Sequence, residues 1–168
     1  RSRRTWRVPI MSNGVMCGTT WDIYTFKARD GEVARASMGG ADIASRGPDD
    51  HDTIEGNLTL DEGLQLMIDL VAGTGPGNPW DNAHAYIGVG DGDAPTDAAQ
   101  TGLKGANKSY KPMDATYPQR TGRECVWRAT FGPEDANFEW NEYTIANGPD
   151  DTAVNLNRRV ERKGAKNR

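Results

Sequence analysis

The sequence HAYIGVGDGD, residues 84–93, joins a short apolar run to a turn of glycine and aspartate. Ile87 and Val89 fall on one face of the predicted strand, and Tyr86 falls on the other. Gly88 and Gly90 leave that second face without side chains, so we expect a neighbouring element to pack closely there. We interpret the rest of the chain as the structure that packs around this strand.

Composition limits what can form around it. The chain has 168 residues, of which 36% are hydrophobic, with 20 glycines and 9 prolines. This length fits one domain with a core, and the glycine and proline content indicates many turns and loops. No apolar run approaches the roughly 18 residues that a membrane span needs, so a membrane protein is not expected. Two cysteines without CxxC spacing favour a reduced, cytosolic origin over a disulfide scaffold.

Residues 1–56 are predicted to form an N-terminal arm, short strands and a long loop. Residues 1–20 combine arginines with glycine turn signals and predict an extended arm. The sequence WDIYTFKA at 21–28 is rich in β-forming residues and predicts a strand. Residues 32–56 lack hydrophobic periodicity, and we interpret them either as a functional loop that contacts a partner or as a mobile loop.

Residues 57–168 are predicted to form the body, which begins with one helix. The sequence TLDE at 59–62 matches a capping box, in which the threonine hydroxyl and the glutamate carboxylate bind free backbone N–H groups. Gly73 ends the helix in the left-handed conformation, and Gly63 allows a close approach to a strand. Apolar residues at helical spacing predict one face packed on a sheet; they are Leu60, Leu64, Met67, Ile68 and Val71.

Strands and long turns are predicted for the rest of the body. The alternating sequence CVWRATF at 125–131 and the sequence FEWNEYTI at 138–145 predict an antiparallel hairpin, with Cys125 on its core side. The apolar phase of the second segment changes before Tyr143. Either a bulge restores it, or Glu142 points inward and needs a partner such as Arg128.

Residues 91–122 are predicted to be mostly turns, and residues 154–160 to be a last strand. Four apolar side chains are expected to pin the turn region to the body: Leu103, Tyr110, Met113 and Tyr117. The predicted fold is mainly β, an antiparallel β-sandwich or barrel with one packed α-helix and a long N-terminal arm.

Charge is divided between the ends and the body. Residues 1–8 carry +4 and residues 158–168 carry +5, which leaves −13 for residues 9–157 within a net charge of −4. An acidic body with basic ends predicts contact with another copy or an acidic neighbour. Solvated, disordered termini are the alternative. The candidate partner-binding residues are Arg1, Arg3, Arg4, Trp6, Arg7, Arg158, Arg159 and Arg162.

No pattern predicts a catalytic or metal site. Asp91, Asp93 and Asp97 could surround Ca²⁺, but Thr96 and Gly102 stand where an EF-hand needs glycine and glutamate. The histidines and cysteines are too scattered to predict Zn²⁺, and the acids at 135, 139 and 142 fit a hairpin surface better than a glycosidase pair. Nucleophile-elbow, P-loop and dinucleotide motifs are absent. We therefore expect no enzymatic activity and no cofactor.

Direct contact with nucleic acid is also not expected. The basic ends could bind phosphates, but Trp6 is the one aromatic residue among the terminal arginines. The body between the ends is acidic, whereas nucleic-acid modules present a basic face with interleaved aromatics. Partners are therefore expected to be proteins.

A longer series of motifs resembles a family of tailed-bacteriophage virion proteins. The motifs are LDEG at 60–63, AHAYIGVGDG at 83–92, TGL at 101–103, Tyr110 with Met113, YP at 117–118, TF at 130–131, ANFEW at 136–140, IANG at 145–148 and LNRRV at 156–160. The resemblance covers about residues 57–165 and misses the N-terminal third. It implies a virion structural protein of the head, the decoration layer or the tail.

The most specific expectation is a non-enzymatic capsid decoration or minor capsid protein. It would stabilise the head through multivalent contacts with the major capsid protein and with other copies of itself. Its location would be the virion, after assembly in the bacterial cytoplasm. A tail or fibre component and a carbohydrate- or host-surface-binding module are the alternatives, although the long repeats of a fibre are absent.

The C-terminal segment departs from the family pattern. In the family, the segment like residues 157–166 leads into a closing strand that contains tryptophan. This sequence ends at Arg168 without that strand. We expect either that this copy lacks the strand or that a neighbouring chain covers the exposed sheet edge.

Overall fold

A computed structural model describes residues 20–25 and 50–165, which form antiparallel sheets and one helix. The strands are β1 Thr20–Thr25, β2 Asp50–Glu55, β3 Leu58–Thr59, β4 Tyr86–Gly90, β5 Lys108–Pro112, β6 Gln119–Thr121, β7 Glu124–Val126, β8 Glu142–Ala146 and β9 Asn157–Val160. The helix, α1, spans Asp61–Ala72. The prediction of a mainly β, antiparallel fold with a single packed helix is confirmed. The predicted N-terminal arm lies outside the described residues.

The strand that organises the sequence, β4, lies inside the main sheet. Five strands form this sheet in the order β3-β9-β8-β4-β5, and β4 is antiparallel to both of its neighbours. Gly88 lies opposite Tyr110 on one side and Thr144 on the other. A Cβ atom at Gly88 would lie 2.6 Å from Cγ2 of Thr144, and one at Gly90 would collide with Oε1 of Glu142. The predicted close packing against these glycines is confirmed.

One hydrophobic core joins the main sheet to the β1–β2 ribbon. Trp21 of β1 and Ile54 of β2 are buried in the same cluster as Val89 and Tyr143 of the main sheet. The Trp21 and Tyr143 rings are 5.8 Å apart. The predicted anchor Trp80 is also buried there, and its carbonyl accepts a hydrogen bond from the Trp127 indole. This packing of a ribbon on a sheet is compatible with a sandwich-like arrangement.

The prediction of a loop over residues 32–56 is wrong at its C-terminal end. Asp50–Glu55 forms β2, with Ile54 opposite Trp21. Only Ile54 of the six residues in β2 is buried. A strand with one buried side chain shows no hydrophobic periodicity, so the pattern could not reveal it. Residues 26–49, which include the rest of the predicted loop, lie outside the described residues.

The predicted hairpin between residues 125–131 and 138–145 is also wrong. Glu124–Val126 pairs with β6 instead, and β8 pairs with β4 and β9. Cys125, expected in the core, is exposed. Alternation identifies a segment with two faces but not the strand that it pairs with, and the two glycines of β4 provide the room for β8. β5 and β6 lie in the region predicted as turns; β5, which ends at Pro112, is an edge strand, the position where proline is tolerated.

The helix begins without the predicted capping box. Leu60 is the N-cap residue and makes no side-chain cap hydrogen bond. The Glu62 carboxylate instead accepts the backbone N–H groups of Gly102 and Asn155, at 3.3 and 3.0 Å. Gly73 ends the helix with φ 67°, as predicted. The side chain expected to cap the helix therefore ties α1 to two neighbouring loops.

Candidate partner surfaces

The helix buries a different face from the one that the sequence predicts. Gly63 and Leu66 are buried, whereas Leu64, Ile68 and Val71 are 41%, 58% and 90% exposed. The spacing of the exposed residues, i, i+4 and i+7, places them on one side of α1. We call Leu64, Ile68 and Val71 the helix stripe. Of the five residues predicted to pack on the body, Leu60 is buried and Met67 packs against the core, but the prediction is wrong for these three.

Gly63 explains the orientation of the helix. A Cβ atom at this position would lie 2.6 Å from both Cα and O of Leu156, which leads into β9. No other residue of α1 lacks a side chain, so only the Gly63 side can approach the backbone so closely. Leu60 donates its N–H to the carbonyl of Leu156 at 3.1 Å and holds the same approach. The helix stripe consequently faces away from this contact.

One exposed acid, Asp61, lies beside the helix stripe. Asp61 and Glu62 lie in the first turn of α1 and Asp69 in its last half, and the helix has no lysine or arginine. Glu62 is bound to neighbouring loops, and Asp69 accepts the hydroxyl of Thr74 at 2.8 Å. Asp61 is exposed. An apolar stripe beside an exposed acid suits a partner that presents apolar and basic residues together.

The most polar part of the main sheet is its interior. Glu142 of β8 and Arg158 of β9 form an ion pair, with 2.6 Å between Nε and Oε2, and both side chains are 0% exposed. The Glu142 carboxylate also accepts the backbone N–H groups of Gly92, Lys104 and Gly105, at distances of 2.6–3.2 Å. The buried carboxylate oxygens of Glu142 therefore have hydrogen-bond donors, as buried polar groups require.

Arg158 continues the network into the same loop. Its Nη1 atom donates to the carbonyl of Ala94 at 3.0 Å and to Oε1 of Gln100 at 3.1 Å. The Glu142–Arg158 pair therefore binds the segment between β4 and β5 from both of its ends. The candidate assignment of Arg158 to partner binding is wrong, because the fully buried guanidinium has no access to a partner.

The inward orientation of Glu142, one of the two predicted alternatives, is confirmed, but its partner differs. Arg158 takes the place expected for Arg128, which instead binds Asp114 at 2.8 Å on the surface. The sequence signal for the true partner is the arginine pair at 158–159, which lies in the last predicted strand, residues 154–160. Strand alternation puts only one arginine of such a pair on each face.

Two other candidate arginines lie at the surface. Arg162 is 72% exposed and 2.5 Å from Asp93, and the partly exposed Arg159 is 2.8 Å from Glu161. Their participation in partner binding stays a prediction. The remaining candidates, Arg1, Arg3, Arg4, Trp6 and Arg7, lie outside the described residues.

An exposed polar cluster lies on the β1–β2 ribbon. Nε2 of His51 is 3.0 Å from Oδ1 of Asp22, and the Thr53 hydroxyl donates to the same oxygen at 2.9 Å. The Tyr24 ring stacks on His51 with 4.3 Å between centroids. A nucleophilic triad would need the imidazole between hydroxyl and carboxylate, with a different nitrogen facing each. This cluster does not have that arrangement, so it gives the hydroxyl no relay.

The carboxylates considered for Ca²⁺ are used separately. Asp91 accepts two hydrogen bonds from Asn107, at 2.9 and 2.6 Å, and these bonds lower the pKa of Asp91. Asp93 binds Arg162, and Asp97 accepts a backbone N–H two residues further along the chain. In the part of the chain that the structure describes, no three His, Cys, Asp or Glu side chains are grouped so that they could hold a metal ion.

Comparison with known proteins identifies no relative. No protein-family model, curated protein or solved structure matches the chain. Among the described residues, no helix has the length and apolar character needed to cross a bilayer. The geometry of the surfaces and the motifs of the sequence are therefore the basis for a functional proposal.

Proposed function

We propose that the protein is a non-enzymatic structural component of a bacteriophage virion, a capsid decoration or minor capsid protein. The motifs over residues 57–165 that resemble virion proteins support the class. The helix stripe, with Val71 90% exposed, is the observation that supports an assembly role. Contiguous apolar side chains on a protein surface commonly mark interaction sites.

The contacts that attach α1 to the rest of the protein support a role in binding. Gly63 lies against the backbone of Leu156, and Glu62 binds the loops at Gly102 and Asn155. The helix stripe is therefore presented on an element fixed to the main sheet, which lowers the entropy lost on binding. Many such contacts, each weak, hold a protein to a particle when they act together. The major capsid protein and other copies of this chain are the proposed partners.

A particle reconstruction tests this proposal. Phage particles are purified with the wild-type chain and with a Val71→Asp variant, and the chain is located in the density map. Density that repeats over the head lattice, and is lost in the variant, is the expected result. A circular dichroism spectrum of the variant checks that it still folds. Absence of the wild-type chain from particles would overturn the proposal.

The second candidate is a tail component that presents its surface to the host. The Tyr24 ring, 52% exposed beside the Asp22, His51 and Thr53 side chains, combines an aromatic face with polar groups, as carbohydrate-binding surfaces do. Density confined to the tail would favour this candidate. Loss of binding to host cells in a Tyr24→Ala variant would identify the β1–β2 cluster as the receptor-binding surface.

A further inference from the structure

The partner of the helix stripe can be specified further. We propose that the helix stripe binds residues 1–11 of a neighbouring copy of this chain, an inference that rests on the proposed function. The contact would be heterologous, with a different surface contributed by each copy, so that it can repeat from copy to copy.

The apolar chemistry of the two segments matches. The helix stripe offers three aliphatic side chains in a row along α1. Residues 1–11, RSRRTWRVPIM, contain the apolar residues Trp6, Val8, Ile10 and Met11. An apolar row along a helix is the usual docking surface for a short segment with spaced apolar anchors, and tryptophan is among the strongest anchors at interfaces.

The charges of the two segments match as well. Asp61, three residues before Leu64, is an exposed acid on the side of the helix stripe, and α1 carries no base. Residues 1–11 carry four arginines and no acid. Pairing two helix stripes with each other would bring Asp61 of both copies to the contact, and α1 has no base to compensate them. Charge complementarity therefore favours residues 1–11 as the occupant over a second copy of α1.

The connection between residues 1–11 and β1 allows two contacts, one within a chain and one between two chains, and the experiment must distinguish them. Residues 12–19 separate the proposed occupant from β1 and can span at most about 28 Å. A segment on this tether could contact the helix stripe of its own chain. The proposal requires the contact between chains, because a contact within one chain adds nothing to assembly.

Photo-crosslinking of the full chain tests the proposal. p-Benzoylphenylalanine is placed at Val71 in purified protein that mixes unlabelled and heavy-isotope-labelled chains, and cross-linked peptides are identified by mass spectrometry. The expected products join position 71 to residues 1–11, and some contain one labelled and one unlabelled peptide. The matched control places the same cross-linker at Val126, a 53% exposed valine on β7, where these products should be absent.

Three results would overturn the proposal. They are cross-links to α1 of a second copy, cross-links to residues 1–11 of the same chain alone, and equal yields from positions 71 and 126. Each of them leaves the virion role open, because the particle reconstruction tests that role independently.

Charge substitution provides a second measurement. Asp61→Asn, combined with the cross-linker at position 71, should lower the yield of the mixed-label product about twofold, as expected for one exposed charge pair. Glu124→Gln, an exposed acid on β7, is the matched control and should leave the yield unchanged. Added salt should reduce the yield in the control and have less effect in the Asp61→Asn protein. Identical yields and salt responses would contradict the charge argument.

Discussion

β8 and α1 differ in which side chains they bury: β8 buries polar residues, and α1 leaves apolar residues exposed. β8 is buried at all five positions although it contains Glu142 and Thr144. The helix α1 leaves Leu64, Ile68 and Val71 exposed. Burial in this fold follows the available space and hydrogen-bond partners, not the hydrophobicity of single residues. A polar side chain with every partner supplied can be buried, and an apolar one without a neighbouring surface stays outside.

Glycine sets this contrast in both regions. Gly90 and Gly92 provide the space for the Glu142 carboxylate, since a Cβ atom at Gly92 would lie 2.6 Å from Oε1. Gly63 brings the opposite side of α1 onto the backbone of Leu156 and so leaves the helix stripe outside. The glycines therefore determine which surfaces can pack closely, because packed interiors tolerate little overlap.

The largest expected effect is the loss of stability when the buried Glu142–Arg158 ion pair is removed. Arg158→Met leaves Glu142 as an uncompensated buried charge and should lower the free energy of unfolding by about 3–5 kcal/mol. The surface pair of Arg128 and Asp114 provides the control, because Arg128→Met should cost less than ~1 kcal/mol. Urea denaturation measures both. Equal losses for the two variants would show that burial of the Glu142–Arg158 pair has no special importance.

A double variant tests whether the unpaired charge of Glu142 causes this loss of stability. Glu142→Gln added to Arg158→Met removes the unpaired charge while the amide oxygen can still accept the N–H groups of the loop. The double variant should be more stable than Arg158→Met alone. A further loss of stability would mean that Glu142 contributes independently of Arg158.

The next effect tests why the helix stripe faces outward. Gly63→Ala should lower the free energy of unfolding by about 1–3 kcal/mol, because the added Cβ overlaps the Leu156 backbone. Alanine would ordinarily stabilise a helix interior by ~0.5–1 kcal/mol relative to glycine, so the expected sign is reversed. Gln65→Ala, at an exposed position of α1, is the control and should be neutral or slightly stabilising. A stabilising Gly63→Ala would contradict the close approach.

A smaller effect tests the exposed apolar side. Ile68→Ser and Val71→Ser should each change the free energy of unfolding by less than ~0.5 kcal/mol, because neither side chain is part of the core. Leu66→Ser, at a 6% exposed position of the same helix, should cost several times more. Thermal denaturation compares the three variants. Analytical ultracentrifugation of the stripe variants should show less self-association than wild type, and unchanged association would remove the stripe from the interface.

The smallest expected effect is on the loss of stability at acidic pH. The pKa of Asp91 is lowered by its hydrogen bonds to Asn107, so the folded state holds the carboxylate more strongly than the unfolded chain does. This contribution to stability is present above the ordinary pKa of about 3.8 and is lost as the pH falls through the lower folded value. Asp91→Asn should therefore flatten the loss of stability below that pH. Glu124→Gln is the control, and identical acid profiles for both variants would contradict the role of Asp91.

The sequence predicted the elements better than their pairing. The β4 strand, its close-packed glycines, the helix end at Gly73 and the anchor Trp80 all follow from local patterns. The capping box failed because Glu62 finds stronger partners in distant loops, and tertiary contacts override local propensity. β2 was missed because only Ile54 of its residues is buried, and the helix orientation depends on Leu156, more than ninety residues from Gly63.

The candidate surface was only partly predictable. Leu64, Ile68 and Val71 were recognised as one apolar face, but periodicity cannot tell whether the core or a partner covers such a face. Arg158 was assigned to a surface by its neighbours in sequence, whereas its pairing with Glu142 depends on the register of β8 and β9. The basic charge of residues 1–8 follows directly from the sequence, but the exposure of Asp61 beside the helix stripe could be seen only in the structure.

The Glu142 carboxylate should also slow the hydrogen exchange of the loop amides that it binds. The segment between β4 and β5 contains no regular strand or helix, and such segments usually exchange their amide protons quickly. Here the amides of Gly92, Lys104 and Gly105 are bound to a buried anion. Exchange of these protons requires the loop to separate from the Glu142 carboxylate, which Arg158 holds in the main sheet. These three amides should therefore exchange with deuterium more slowly than the other amides of the same segment, although none of them belongs to a strand or helix.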